Sequence, residues 1–200
     1  MRRERSRGQS MVELAILLPI LVTLFLGSWT AADLISDNNA AAQASRAGAR
    51  LAAELGNGGW KSGAGSSGCQ VSGTDACALD TQIVDQVLPI VAPKLTNATV
   101  TEIDIYQPSG SGNSCTFSSG TCPPNNGAYT AGELIDVYTV SAGVATRQAG
   151  GTFGLDKRGQ THPTEDELGV RVVFHYTSPT MTVFTQTDSQ YTVVRLAPVA

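Results

Sequence analysis

Charge is scarce in this chain of 200 residues: Asp, Glu, Lys and Arg together make up 15% of it, against about 25% in typical soluble proteins. With a net charge of -4, a basic nucleic-acid binder is excluded, and the length leaves room for one domain plus an appendage rather than a large multidomain enzyme. Histidine occurs twice, as His162 and His175, without H-E-x-x-H spacing, so both read as structural. There is no G-x-S-x-G elbow, Walker A loop or dinucleotide fingerprint in a strand-turn-helix setting, which leaves acyl transfer and nucleotide chemistry without support. The run Thr164-Glu165-Asp166-Glu167 lacks the spaced ligands and the glycine of a calcium loop and reads as a solvated turn. No enzyme, metal or cofactor is expected.

What charge there is lies unevenly. Arg2, Arg3, Arg5 and Arg7 against Glu4 give the first eight residues +3, leaving 9 basic and 16 acidic residues, or -7, for the rest. Behind the basic leader runs MVELAILLPILVTLFLGSWT, Met11 to Thr30, with Glu13 its one charge. As a helix at ~1.5 Å per residue it spans about 30 Å, the thickness of a bilayer core. Arginines before it and Asp33 and Asp37 after it predict an N-terminus in the cytoplasm and a body outside. Glu13 is costly in an apolar helix, so it is a functional candidate that needs a partner. Pro19 cannot donate to the carbonyl of Ala15, which predicts a kink or a loosened turn.

These residues carry a resemblance. Arg7-Gly8-Gln9-Ser10-Met11-Val12-Glu13 followed by the apolar run resembles the class III leader of type IV pilin-like proteins. More narrowly, RGQSMVELAILLPILVTLFLG, with Pro19 inside it, is similar to the TadE-like proteins of the tight-adherence (Flp) pilus system. Ser45-Arg46-Ala47-Gly48-Ala49-Arg50, within the Ala-rich stretch from Asn39 to Leu55, resembles the family's continuation. The resemblance implies a minor pseudopilin, a structural component of pilus assembly cut by a prepilin peptidase between Gly8 and Gln9. It also implies that Glu13 meets the freed amine of a neighbouring subunit and that Pro19 serves assembly. The implied partners are the peptidase, other pilin-like subunits and tight-adherence machinery, at the bacterial cytoplasmic membrane or in an extracellular pilus. Two rivals stand beside it: an uncleaved, single-pass, membrane-anchored binding module, and a secreted protein cut near Thr30-Ala31-Ala32.

The organisation expected is a cleaved leader (1–8), a transmembrane helix (9–32), its continuation (33–55) and an extracytoplasmic domain (56–200). In the continuation, Ala40, Ala44, Ala47, Gly48, Leu51 and Leu55 share one side, and the glycines from Gly56 on end the helix. Cys69 with Cys77 and Cys115 with Cys122 lie in Gly/Ser/Asn-rich loops. Proximity suggests two disulfides in an oxidising compartment, although four cysteines permit three connectivities. Asp80 is expected to cap a short helix from Thr81 to Val91, closed by Pro89 and Pro93. Strand alternation marks 99–106, 134–140, 170–176, 181–187 and 190–196. The fold class expected is α+β, a long N-terminal helix packed on a small antiparallel β-sheet, pilin-like by resemblance.

Overall fold

The computed structural model describes residues 4–56, 76–108, 135–148, 153, 158, 167–179 and 184–196. The fold is α+β: one long helix, a second shorter one, and a five-stranded antiparallel sheet. Helix α1 runs from Glu4 to Leu55, 52 residues with Pro19 inside it, or about 80 Å. Its two halves have different surroundings. From Met11 to Phe25, and at Trp29, the large apolar side chains are exposed, and this segment is long and apolar enough to cross a membrane. The second half buries Asp37, Ala40, Ala41, Ala44, Ser45, Ala49 and Ala52, at steps of three and four that keep them on one side. Gly56 ends the helix with φ 56°, its N–H donating to the Ala52 carbonyl at 2.9 Å, a left-handed close that glycine adopts without penalty.

The buried side is turned slightly from the expected one. Ala47, Leu51 and Leu55 are only partly covered, whereas Ala41, Ser45 and Ala52 are fully buried. The helix is embraced from two directions, by α2 (Ala76–Val91) and by the sheet, so the seam lies between the two contact surfaces. Gly48 sits where all three meet. A Cβ there would stand 2.4 Å from Val87 of α2 and 3.2 Å from Val170 of the sheet.

Three other expectations are corrected. Helix α2 begins at Ala76, not at Thr81, so Asp80 is inside it and wholly buried instead of capping it, and Cys77 is helical, not in a loop. Pro89 lies within α2, and the helix gives way at Ala92–Lys94, a single 3₁₀ turn containing Pro93. Helical backbone is present on both sides of Pro19 and through Gly8. The leader from Glu4 on continues the helix, because only glycine's modest propensity cost stands against it there.

The strands are β1 (Ala98–Tyr106), β2 (Ile135–Ser141), β3 (Val144–Arg147), β4 (Glu167–Thr177) and β5 (Thr185–Arg195). Their order is β3-β2-β1-β4-β5, with every neighbour antiparallel. Five strands were expected, but not these five. The last two expected strands form the single strand β5, because the equally long β4 offers it an unbroken ladder from Glu167↔Arg195 to Thr177↔Thr185. Strand β3 was missed. It follows a two-residue turn, Ala142-Gly143, with φ 50° and 77°, a conformation usually signalled by Asn-Gly or Asp-Gly.

Alternation divides the sheet residues between its faces. Ile103, Ile105, Val170, Val172 and Phe174 join Ala41, Ala44, Ile83, Val84 and Val87 of the helices in the main core. On the other face, Tyr106, Ile135 and Val137 form a smaller cluster flanked by Tyr191.

Candidate functional site

The residues singled out by the resemblance lie along the bare half of α1. Gln9 and Glu13 are one turn apart and exposed, and the Gln9 side-chain amide donates to the Glu13 carboxylate at 3.2 Å. Further along, the hydroxyls of Thr23, Ser28 and Thr30 donate to the carbonyls of Ile20, Phe25 and Leu26 at 2.8, 2.9 and 2.9 Å. These polar groups are therefore satisfied within the helix, as an apolar surrounding requires. Glu13 is the exception in kind, an exposed carboxylate whose described partner is a neutral amide. Of the cysteines, Cys69, Cys115 and Cys122 lie outside the described residues, as does the side chain of Cys77. Trp60, His162 and residues 164–166 are outside them too. His175 lies in β4, its Nδ1 3.1 Å from the hydroxyl of Thr187 on β5.

Where the bare half ends, α1 is clamped to the sheet domain. Asp33 accepts from the side-chain amide of Asn97 at 3.0 Å and Asp37 from the backbone N–H of Thr96 at 3.0 Å. The Tyr176 hydroxyl reaches the Thr30 carbonyl at 3.4 Å, and its ring meets Phe184 edge-on. Higher up, Ser45 and Thr192 share a hydroxyl contact at 2.9 Å and Gln190 donates to Asn38 at 2.7 Å. The sequence showed Asp33 and Asp37 only as the first charges after the apolar run. Their spacing of four, which puts both on one face of the helix, was the overlooked signal.

Two buried ionic clusters stiffen the domain behind this junction. On the sheet face away from the helices, Arg171 of β4 donates to Asp104 at 2.6 Å and to Glu102 at 2.9 Å, both on β1. One guanidinium cannot neutralise two carboxylates, and burial pushes Asp104 up to about 8, against the pull of Arg171 and with the push of Glu102. Burial raises Glu102 as well. The Tyr106 ring lies against Gly169, where a Cβ would come within 2.4 Å of it. On the helix-facing side, Arg158 binds Asp80 of α2 at 2.7 Å, stacks 4.6 Å above the Phe153 ring and donates to the Phe153 carbonyl at 3.0 Å. Asp136 of β2 lies 3.7 Å from Arg158 and pairs with Arg147 at 2.6 Å. Burial pushes Asp80 up to about 8 despite Arg158, with Asp136 adding to the rise.

The sign of the resulting pH dependence follows from linkage. Asp80 and Asp104 have folded values above the ordinary carboxylate value, so the folded state binds their protons more tightly than the unfolded chain does. The stability they contribute is complete below about pH 4 and is lost as pH rises through 8. The melting temperature of the detergent-solubilised chain is expected to fall between pH 6 and 9. Asp104→Asn, which imitates the protonated acid, should flatten that fall; an unchanged slope in this variant would contradict the assignment.

The geometry is that of an α+β head packed on the second half of a helix whose first half is long and apolar enough to cross a membrane. Residues 8–50, all within α1, match the family model described as TadE-like protein. The matched segment begins at the expected cut and runs past the clamp into the buried stripe at Gly48 and Ala49. No curated protein and no solved structure matches the chain.

Proposed function

We propose that this chain is a TadE-like minor pseudopilin, a structural component of tight-adherence pilus assembly with its N-terminus inside and its head outside the cytoplasmic membrane. A prepilin peptidase removes residues 1–8, Gln9 becomes the N-terminus, and the subunit joins other pilin-like subunits through its apolar helix. The observation that carries this reading is the coincidence of the family match at residues 8–50 with a single helix, bare over its apolar half and packed over the rest. Glu13 then has a task. Its exposed carboxylate, one turn from Gln9, is placed to receive the freed amine of a neighbour, an attraction that strengthens in lipid.

Glu13→Ala is expected to leave the protein level and its membrane location unchanged while piliation and surface adherence are lost, as read by electron microscopy and an adherence assay. Pili of normal number in this variant would remove Glu13 from assembly. One observation favours the rival, an uncleaved anchored module: Gly8 lies within α1 with no break at the scissile bond. Cleavage therefore requires the first turns of the helix to unwind in the peptidase, a small cost at a frayed, Gly-containing helix end.

A further inference from the structure

The sheet reaches down to where the apolar run of α1 ends. Strand β5 descends beside the helix, with Thr192 at Ser45 and Gln190 at Asn38. Five residues below Gln190, about 17 Å along a strand, β5 begins at Thr185. Over the same stretch α1 falls only about 12 Å between Asn38 and Thr30. Tyr176, paired with Gln186 at this end of the sheet, gives the level directly, because its hydroxyl reaches the Thr30 carbonyl at 3.4 Å. Thr30 is the last residue of the apolar run. In that last turn Leu26 and Thr30 are partly covered, while Phe25 and Trp29 are exposed.

What the sheet presents at this height is apolar and uncharged. Phe184, the residue before β5, meets the Tyr176 ring edge-on at 6.3 Å between centroids, yet remains 40% exposed. Its carbonyl accepts from the Ser178 N–H at 3.0 Å, so its backbone is tied to the end of β4. From Tyr176 to Thr187 the sequence contains no Asp, Glu, Lys or Arg. Trp29 of α1 is exposed at the same height, 6.3 Å from the Phe25 ring. Aromatic rings gather where hydrocarbon meets headgroups. With Met11 to Thr30 filling the ~30 Å hydrocarbon core, Phe184 stands at the outer boundary of that core. Asp33 and Asp37 then lie about 5 and 10 Å higher on the helix, outside the hydrocarbon.

We propose that the lower end of the sheet enters the outer leaflet of the bilayer, with Phe184 seated between acyl chains and headgroups, so that the head is docked on the membrane as well as tethered to it. The proposal rests on the membrane-anchored reading.

To test it, the full chain is reconstituted in phosphatidylethanolamine/phosphatidylglycerol vesicles containing phosphatidylglycerol with a diazirine close to its acyl carbonyl, photolysed, and mapped by peptide mass spectrometry. Adducts are expected on the apolar helix and on Phe184, and none on Gln190 or Thr192, which stand higher. Phe184→Gln, at an exposed position, should remove the sheet adducts and leave the helix adducts unchanged. Phe184→Leu, still apolar, should retain them. Adducts confined to the helix, or sheet adducts undiminished in Phe184→Gln, would overturn the docking while leaving anchoring intact. Absence of adducts from the helix as well would overturn the anchored reading itself.

Discussion

Replacing Arg171 by methionine is expected to destabilise the head by about 3–5 kcal/mol, the usual cost of stripping one partner from a buried ion pair. Methionine fills much of the same space, so the loss is electrostatic rather than a cavity effect. Glu102 and Asp104 stay behind on neighbouring same-face positions of β1, and Asp104 is fully enclosed. Glu102 must then take up a proton or remain buried and unpaired, while Asp104, raised to about 8, stays protonated at neutral pH. Adding Glu102→Gln and Asp104→Asn to Arg171→Met should recover part of the loss, since neutral amides carry no uncompensated charge. Chemical denaturation of the solubilised chain, followed by circular dichroism, measures both. A loss below about 1 kcal/mol would be typical of a solvent-screened pair and would contradict the burial of this cluster.

Gly48→Val is expected to be comparably damaging, for a steric reason. The first added carbon meets Val87 at 2.4 Å and Val170 at 3.2 Å, and the branches of valine would add further atoms in the same crowded place. Either α2 must lift from α1 or α1 from the sheet, and overpacking of this kind costs typically 1–3 kcal/mol, sometimes more. The three elements share one core, so the melting temperature should drop and the C-terminal half of α1 should lose hydrogen-exchange protection. Gly48→Ser should be milder, its single extra branch being smaller. Wild-type protection over residues 37–52 in the valine variant would contradict the close approach of the helices.

How much of this was legible beforehand depended on which interactions are local. The apolar run, the Ala-rich stripe and the helix end at Gly56 are local patterns, and they placed α1 from Met11 to Leu55 correctly. Strands β1, β2 and β4 were legible by alternation within a residue or a few of their ends. What failed depended on partners distant in sequence. Asp80 read as a cap because acids favour helix starts. It is instead an interior helical residue made tolerable by Arg158, 78 positions away. The alternation over 99–106 marked the strand but not the burial of its acidic side, where Glu102 and Asp104 lie against Arg171 of β4. Strand β5 read as two because Asp188 and Ser189 interrupt the pattern, and only its pairing with β4 makes it one. For the candidate site, the family resemblance is what singles out Gly8, Gln9, Glu13 and Pro19. The Asp33 and Asp37 clamp was not, because its partners Thr96 and Asn97 come after the whole of α2.

The central claim is that the helix is an assembly element delivered by leader removal, not a permanent plain anchor. Its most direct test is the intact mass and N-terminal residue of the protein recovered from its native membrane, with and without an active prepilin peptidase. The account predicts a chain starting at Gln9 when the peptidase is active and at Met1 when it is not. A chain starting at Met1 in both would contradict it and leave an uncleaved anchored module. A start near Ala31 would mean that the apolar helix is discarded, and with it any role for Glu13.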